Sequence, residues 1–482
     1  MPQINDNVIS PRVKAVENMV ARARAKTGKK AGPAACSTCH VPLWMGFFFD
    51  GTNNHKDRDF PQRHSNVVAL FDAHEMKPRQ GIVRFYYEGC GTDFEFADRY
   101  ERVPRVVGRA GRVIWEDRKG YAEEESTLNQ AFGLHMDKRL EKALFEFESF
   151  VEDRRGRARI DEINVSAYGF SRGSATARAF VHWLAAHSKV SRSGNALKYD
   201  DTPLNIKFLG LFDTVESVGR AGDNTQPRLI KTSVPTFVEK CLHTVAAHEL
   251  RDAFPVTAIG GNRYTQVVSP GAHSDIGGGY LGNEQARTVH LSRINLLQMH
   301  DHARGTGVPM LSLGEMRNAE ADRWETTYRH SFDVPGEAHE ALAAYMTHVS
   351  PQSGPMRDVL HAHMKWYWKW IDSGLAAEDH GEKFRRYWHD DSPDSDQRRE
   401  ELLQMTTLAQ QTARTEAGRG VGSTFGHPRV APKRDELPSA VERLLEGYVH
   451  DSQAGFVALG TIQWDLSQVD YYAIREVRLP EA

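Results

Sequence analysis

Short apolar runs alternate with longer helical segments through the first 284 residues of the chain. The runs that predict strands are 43–49, 82–87, 163–170, 206–212 and 264–268, and helical periodicity marks 124–150, 172–187 and 237–254. Strands that are apolar on both faces are typical of a parallel sheet covered by helices on either side. The pattern therefore predicts an α/β fold with a mostly parallel sheet flanked by helices.

Four regions follow from changes in this pattern. Residues 1–40 are polar and predict an appended N-terminal arm, and residues 41–284 form the α/β core. Long amphipathic and charged helices over 285–440 predict a helical insertion or cap. Residues 441–482 are expected to return to the core sheet through strands at 455–459 and 471–479.

The predicted cap contains an aromatic cluster, Trp366, Tyr367, Trp368 and Trp370. Such a cluster is most often the buried face of a helix. Trp and Tyr are also the side chains that favour a lipid interface, which remains the alternative.

Composition narrows the partners. Lys and Arg number 61 against 64 Asp and Glu, a net charge of −3, so no overall field recruits nucleic acid or anionic lipid. We find no apolar run of the ~18 residues that a transmembrane helix needs. Residues 1–30 lack the apolar region of a signal peptide. We therefore expect synthesis in the cytoplasm, with any export by a route that needs no cleaved leader.

Four cysteines are too few for a disulfide scaffold in 482 residues. Cys36, Cys39 and His40 match the pattern for attaching c-type haem, but that attachment follows signal-dependent export. Two cysteines and one histidine also fall short of a four-ligand zinc site. A disordered or metal-touched linker fits this segment better, and we expect no cofactor and no metal.

The strongest chemical signal is G-x-S-x-G at 169–173, directly after the apolar run 163–170. Small residues follow at 174–177, as at the start of a closely packed helix. A strand, a sharp turn and a helix in this order form the nucleophile elbow, in which the serine has a strained backbone and its neighbours must lack bulk. Ser171 is therefore the candidate nucleophile, and the motif narrows the predicted α/β fold to an α/β-hydrolase-like fold.

A serine nucleophile needs an imidazole base, and the imidazole needs a carboxylate. In α/β-hydrolases the chain order is Ser, acid, His. Asp213 ends the next core strand and is the candidate acid. His273, in a glycine-rich loop after the following strand, is the favoured base, and His450 near the C-terminal strands is the rival.

Three further residues around the predicted base are assigned supporting roles. His243 and His248 fall in the segment predicted to be helical and are expected to pack or to support the site from behind. Asp275 follows His273 by two residues and is expected either to bind something in the pocket or to shape the loop.

An oxyanion hole requires two preorganised donors. One is expected to be the backbone N–H of Arg172, and the other to come from Gly51 or Thr52 after the first strand. The Asp50-Gly51-Thr52 sequence also occurs in haloacid-dehalogenase-type phosphatases. Their nucleophilic aspartate would fall at Phe48, which cannot attack phosphorus, so that class is disfavoured.

With these residues placed, the sequence resembles the first family of bacterial type VI lipase effectors, in the DUF2235 group of α/β-hydrolase phospholipases. The matching segments are 48–54, 89–92, 168–175, 211–217, 243–254, 271–280 and 449–452. The resemblance implies a catalytic Ser171 with Asp213 and a histidine, and hydrolysis of an sn-1 or sn-2 acyl ester in membrane phospholipids.

The same resemblance implies partners and a location. These are a secretion-spike protein of the VgrG type or an adaptor, a cognate immunity protein, and delivery to the periplasm of a target cell. Residues 1–40 and 285–440 match no motif of the family. A carboxylesterase acting on other esters, or an interaction protein with a structural hydrolase core, remain the alternative readings.

Overall fold

The computed structural model describes residues 6–27, 36–60, 63–92, 94–96, 102–107, 112–117, 121–123, 136–216, 231–251, 253–318, 331–376, 437–452 and 474–480. Within these ranges the strands are β1 (Cys36–Phe49), β2 (Ile82–Tyr87), β3 (Phe94–Phe96), β4 (Arg102–Val107), β5 (Arg112–Asp117), β6 (Tyr121–Glu123), β7 (Ala158–Phe170), β8 (Val190–Ser193), β9 (Ala196–Tyr199), β10 (Thr202–Phe212), β11 (Val238–Ala246), β12 (Val256–Thr257), β13 (Thr265–Ser269) and β14 (Val477–Arg478).

The α-helices of the described ranges are α1 (Asp6–Thr27), α2 (Asn66–Ala73), α3 (Met136–Arg155), α4 (Arg172–Ala185), α5 (His273–Gly277), α6 (His290–Gly305), α7 (Leu313–Asn318), α8 (Gly336–Met346), α9 (Met356–Ala376) and α10 (Ser439–Gly447). Two 3₁₀ turns lie at Pro78–Gln80 and Glu284–Ala286.

The central sheet has the strand order β13-β11-β10-β7-β1-β2, and every neighbouring pair along this path is parallel. The β8–β9 hairpin extends it by antiparallel pairing of β9 with the start of β10. The order reverses between β1 and β7, because β2 lies on one side of this pair and the later strands on the other. This confirms the predicted α/β fold with a mostly parallel sheet.

Successive side chains of each strand enter different cores. Phe47 and Phe49 belong to the core beneath α1, α3 and α4, whereas Phe48 belongs to the opposite core, beneath α2 and α6. Leu211 and Phe212 divide in the same way on β10. Both faces of the sheet are therefore buried, which explains why the sequences of its strands are nearly continuous apolar runs.

The N-terminal segment differs from the predicted polar arm. In α1 the side chains of Ile9, Val13 and Val16 are about 1% exposed and join the core with α3 and β7. The segment containing Cys36 and His40 is also not a linker, since β1 begins at Cys36 and pairs with β7. The core thus begins before residue 41.

The helical region after residue 284 packs directly on the α/β core. Helices α8, α9 and α10 share one apolar cluster with Val245 and Leu250. Tyr367, Trp368 and Trp370 are at most 6% exposed in that cluster, so these aromatic residues form a buried helix face. Residues 377–436 lie outside the described ranges.

The C-terminal segment does not pair with the central sheet in its described part. Strand β14 pairs instead with the short β12, and the proposed strand at 455–459 and the start of the one at 471–479 lie outside the described residues. Within the described ranges no helix combines the length and apolar character needed to cross a membrane.

A second difference concerns residues 237–254, which were predicted to be helical. Their first half is β11, whose last six positions are all buried and which pairs with both β10 and β13. A fully buried strand and a buried helix give similar apolar patterns, so periodicity alone could not separate them.

Candidate active site

The site lies at the carboxyl edge of the sheet, where the strand order reverses. In open α/β sheets ligands bind outside the carboxyl ends of the strands at such a switch point. Strand β1 delivers the loop that begins at Asp50, and the neighbouring β7 delivers Ser171. Asp213 follows β10, on the other side of β7.

Ser171 has the backbone of a nucleophile elbow. Its φ of 57° and ψ of −125° lie outside the usual regions for a non-glycine residue. A Cβ at Gly169 would lie 2.3 Å from the carbonyl oxygen of Gly173, and one at Gly173 would lie 2.2 Å from that of Phe49. The two glycines are therefore required by close backbone approach, as the sequence predicted.

The serine turn is tied to the turn that carries Asp213. The Ser171 N–H donates to the carbonyl of Phe212 at 3.0 Å, and the Val215 N–H donates to the carbonyl of Ser171 at 3.3 Å. Asp213 has a positive φ of 42°, and its N–H donates to the carbonyl of Thr244 at 2.7 Å. The two turns thus hold each other in strained conformations.

Asp213 and His273 form a buried pair. Nδ1 of His273 lies 2.5 Å from Oδ2 of Asp213, and both side chains are at most 5% exposed. The imidazole ring packs against Phe170, the residue before Ser171, with ring centroids 4.5 Å apart. Asp213 and His273 are therefore paired, and the imidazole lies against the residue that precedes Ser171.

The other carboxylate oxygen of Asp213 is also fully engaged. Oδ1 accepts from the Ala246 N–H at 2.9 Å and from Nη1 of Arg475 at 2.6 Å. Burial by itself would raise the pKa of Asp213, but the charge of Arg475 and the hydrogen bond with His273 outweigh it and hold that pKa well below its usual range. Asp213 is therefore ionised at neutral pH.

Burial lowers the pKa of His273, and the Asp213 carboxylate only partly opposes this effect. The imidazole is therefore neutral at pH 7, with Nδ1 as the donor to Asp213 and Nε2 available as an acceptor. This is the state that a general base requires.

Glu249 and Arg251 support the histidine from behind. The His273 N–H donates to Oε2 of Glu249 at 3.2 Å. Arg251 binds the same carboxylate through Nε at 2.8 Å and Nη2 at 2.9 Å, and its charge overcomes the effect of burial to lower the pKa of Glu249 to about 2. Arg251 also lies over the ring of Phe254, which contacts His273.

His450, the rival base, pairs with a different carboxylate. Its Nδ1 lies 2.6 Å from Oδ1 of Asp275, and its N–H donates to Oδ2 of the same residue at 2.9 Å. Oδ2 also accepts from the Ala272 N–H at 2.9 Å, so Asp275 shapes the loop that carries His273. The geometry therefore assigns His273, and not His450, to Asp213.

The other two histidines of this region act in packing. His243, which lies on β11 and not on a helix, accepts from the Thr214 N–H at 3.2 Å and sits beside the buried Arg178. His248 lies in the loop after β11 and accepts from the Gly271 N–H at 3.0 Å, which ties it to the loop of His273.

The predicted oxyanion donors differ in their availability. The Gly51 N–H donates to Oδ1 of its neighbour Asp50 at 2.7 Å, so it is engaged. Arg172 starts α4, where the first N–H groups of a helix have no partner within the helix. Thr52 has a buried hydroxyl that finds no hydrogen-bond partner among the described residues. Arg172 and Thr52 are thus the better placed candidates.

Asp50 is a buried acid beside this loop. Oδ2 accepts from the Tyr86 hydroxyl at 2.6 Å, and burial raises the pKa of Asp50 to about 7. Its carboxylate holds the Gly51 N–H and so fixes the loop after β1. Among the residues that the structure describes, no three or more His, Cys, Asp or Glu side chains converge to hold a metal ion.

Sequence reasoning assigned no site role to Glu249, Arg251 or Arg475. The first two lie in a segment quoted for the family resemblance, and their bidentate pairing needed the fold to become visible. The pairing of Arg475 with Asp213 could not be predicted from local sequence, because the two residues lie 262 positions apart.

Fold and site together define an α/β-hydrolase-like protein whose candidate site contains serine, aspartate and histidine. The family described as "T6SS, Phospholipase effector Tle1-like, catalytic domain" matches residues 46–198 and 188–302. Since the match spans more than half of the chain, the protein belongs to this family of type VI secretion phospholipase effectors, which confirms the resemblance found in the sequence.

Two solved structures are similar to the chain. A crystal structure of an uncharacterized protein from Pseudomonas aeruginosa is 19% identical, with a TM-score of 0.56, and the alignment covers 98% of this chain and 82% of that one. A structure of the Tle1 effector bound to the VgrG spike is 16% identical, with a TM-score of 0.40, and covers 68% and 84%. The first shares the fold. No curated protein matches the sequence significantly.

Proposed function

We propose that the protein is a serine-dependent phospholipase that hydrolyses an acyl ester of membrane phospholipids, as an A1 or A2 type enzyme. The observation that carries this proposal is the 2.5 Å contact between Asp213 and His273 beside the strained turn of Ser171. A serine on an elbow needs a neutral imidazole with a fixed tautomer, and an ionised buried aspartate supplies that tautomer.

In the first half of the reaction, Nε2 of His273 takes the proton of the Ser171 hydroxyl as Oγ attacks the acyl carbonyl carbon. The negative charge on the carbonyl oxygen would be stabilised by the Arg172 N–H and a donor of Thr52. As the carbonyl reforms, the bond to the lysolipid oxygen breaks, and His273 returns its proton to that oxygen. The acyl group stays on Ser171.

In the second half, a water molecule replaces the lysolipid. His273 removes a proton from the water as it attacks the acyl-enzyme, and then protonates Oγ as the fatty acid leaves. Asp213 stays ionised throughout, because it accepts hydrogen bonds from His273, Arg475 and the Ala246 N–H. This chemistry uses no cofactor and no metal.

The biological setting proposed here follows from the family. We propose an antibacterial role in which a type VI system delivers the protein to the periplasm of a target cell. A spike protein of the VgrG type or an adaptor would carry it, and a cognate immunity protein would protect the producing cell.

Product analysis on defined phospholipids tests the proposal. The parent should release fatty acid and lysolipid from vesicles, and Ser171→Ala should reduce kcat by about 10³-fold or more. Ser193→Ala, on the exposed strand β8, is the matched control and should retain the parent rate.

Two results would favour other functions. A parent that hydrolyses short-chain esters but no phospholipid vesicle would indicate a carboxylesterase. A Ser171→Ala protein that is as toxic as the parent when directed to the periplasm would indicate an interaction protein with a structural hydrolase core.

A further inference from the structure

Next to the candidate nucleophile stands a cation that has no counter-ion among the described residues. Arg172 is the first residue of α4, directly after Ser171, and its side chain is only partly exposed. Within the described residues its Nε is buried without a hydrogen-bond partner, and no carboxylate forms an ion pair with its guanidinium.

The other buried arginines of this region each have hydrogen-bond partners, although Nε of Arg178 and Nη2 of Arg475 are also buried without one among the described residues. Arg251 is paired with Glu249, and Arg475 is paired with Asp213. Arg178 on α4 donates to the carbonyl oxygens of three residues and to the Thr214 hydroxyl. Of these four arginines, Arg172 is the one whose guanidinium has no hydrogen bond or ion pair among the described residues, and leaving a partly buried charge in that state is costly.

Arg172 remains charged despite this environment. Burial, with repulsion from Arg251, lowers its pKa to about 10, and the Cys90 thiol opposes that effect. The guanidinium is therefore positive at pH 7. The charges of Arg251 and Arg475 are offset by their carboxylate partners, whereas Arg172 has no such partner among the described residues.

A second polar group without a partner among the described residues lies on the loop after β1. The Thr52 hydroxyl is buried and finds no partner among the described residues. Its loop is joined to the Cys90 turn by a hydrogen bond from the Asn53 N–H to the Cys90 carbonyl at 3.1 Å, and Cys90 packs with Ala175 on α4. The loop after β1 and the start of α4 are thus linked through the Cys90 turn, and each carries a buried polar atom without a partner among the described residues.

We propose that the Arg172 guanidinium binds the phosphodiester of a glycerophospholipid and so selects phospholipids over neutral glycerides. The inference rests on the proposed function and adds the group of the substrate that is recognised. The phosphodiester carries one negative charge and is separated from the acyl ester only by the glycerol carbons. Arg is the side chain whose planar fork suits two phosphate oxygens.

Binding to the inactive Ser171→Ala protein tests the proposal without turnover. The probes are dihexanoylphosphatidylglycerol below its micelle concentration, dihexanoylglycerol and glycerol 3-phosphate, with affinities measured by calorimetry. Adding Arg172→Met should lower the affinity for the phospholipid by about tenfold or more. Arg157→Met makes the same charge change on an exposed residue before β7, and it should change the affinity for the phospholipid by less than about twofold.

Three outcomes would overturn the proposal. In the first, Arg172→Met leaves the affinity for the phospholipid unchanged. In the second, it lowers the affinity for dihexanoylglycerol as much as the affinity for the phospholipid. Alternatively, glycerol 3-phosphate could bind as tightly as the phospholipid, which would indicate a site for a soluble phosphate. If Arg172→Met does not fold, Arg172→Lys keeps the charge without the fork, and a loss of about threefold or more is then expected.

Turnover gives an independent check in the active protein. Arg172→Met should lower the ratio of kcat/KM for the phospholipid to kcat/KM for dihexanoylglycerol by about tenfold or more. An unchanged ratio, with both values reduced together, would mean that Arg172 acts on the reacting carbonyl and not on the headgroup. An inactive parent would contradict the proposed function alone, since the binding measurements would still be readable.

Discussion

At the scale of single residues, the site depends on the ionisation of a few buried groups. Asp213 is held ionised by Arg475 and His273, and His273 is held neutral by burial. Burial on its own would raise the pKa of Asp213, so in this interior the ionised state depends on its partners. The fold therefore supplies the charges and the burial that set the pKa values of both groups.

The first prediction concerns the pH profile of hydrolysis. The imidazole must be neutral to accept a proton, so the rate should fall as the pH falls through the pKa of His273. Because burial lowers that pKa, the acid limb of kcat should be centred below the ordinary histidine value of about 6.5.

The control is Asp213→Asn, which removes the carboxylate that raises the pKa of His273. Its acid limb should lie at still lower pH, with a much lower plateau. A parent profile centred near pH 7.5 would contradict the assignment of His273 as a base in this environment.

At the scale of elements, the elbow is built by backbone contact between β1, β7 and α4. Gly169 and Gly173 let the strand and the helix approach each other more closely than any side chain permits. The approach places the start of α4 against the end of β1, and the positive φ of Ser171 follows from this turn. The motif is therefore a packing requirement as well as a chemical one.

The second prediction is that Gly173→Ala destabilises the protein severely. The new Cβ would lie 2.2 Å and 2.4 Å from the carbonyl oxygens of Phe49 and Asp50, which are backbone atoms that cannot turn away. We expect a loss of about 3 kcal/mol or more in the free energy of unfolding, measured by chemical denaturation. The matched variant Gly282→Ala, whose Cβ would meet nothing within 4 Å, should be near neutral. Equal stability of the two variants would show that the elbow is not constrained as described.

At the scale of the whole molecule, distant segments close on the site. Arg475 reaches Asp213 from the C-terminal segment, and His450 reaches Asp275 from the end of α10. Ser452 accepts from the Leu250 N–H at 3.2 Å beside the same loop. The N-terminal α1 packs on the opposite side of the sheet. The ends of the chain thus complete the core and the support of the site.

The third prediction tests this closure with Arg475→Met. Removing the cation leaves the buried carboxylate of Asp213 without its ion-pair partner. We therefore expect a loss of about 3–5 kcal/mol in the free energy of unfolding at pH 7. The lowered pKa of Asp213 contributes stability above the unfolded pKa, near 4, and this contribution is lost as the pH falls. The difference in the free energy of unfolding between the parent and Arg475→Met should therefore become smaller as the pH is lowered.

Arg478→Met provides the control for Arg475→Met. Arg478 lies three residues away and pairs with the exposed Glu476, so its loss should cost less than about 1 kcal/mol. Similar losses for the two variants at pH 7 would contradict the special role of Arg475.

Local signals in the sequence determined the elements that carry the chemistry. The glycine spacing around Ser171 requires a sharp turn wherever a strand precedes it and a helix follows it. Asp213 and His273 follow core strands, and parallel strands end at the same edge. The α/β class and the family were therefore predictable. The apolar positions Ile9, Val13 and Val16 of α1 were missed, because the polar composition of residues 1–40 concealed them.

Only the tertiary structure decided which groups meet. The sequence favoured His273 over His450 as the base but left both open, and their contacts with Asp213 and Asp275 separate them. Residues 238–246 became a strand because β10 and β13 offer backbone partners on both sides. Pairing over long sequence separations depends on the packing of the whole chain. Local pattern specifies elements, whereas the states of buried charges are fixed by neighbours that only the fold supplies.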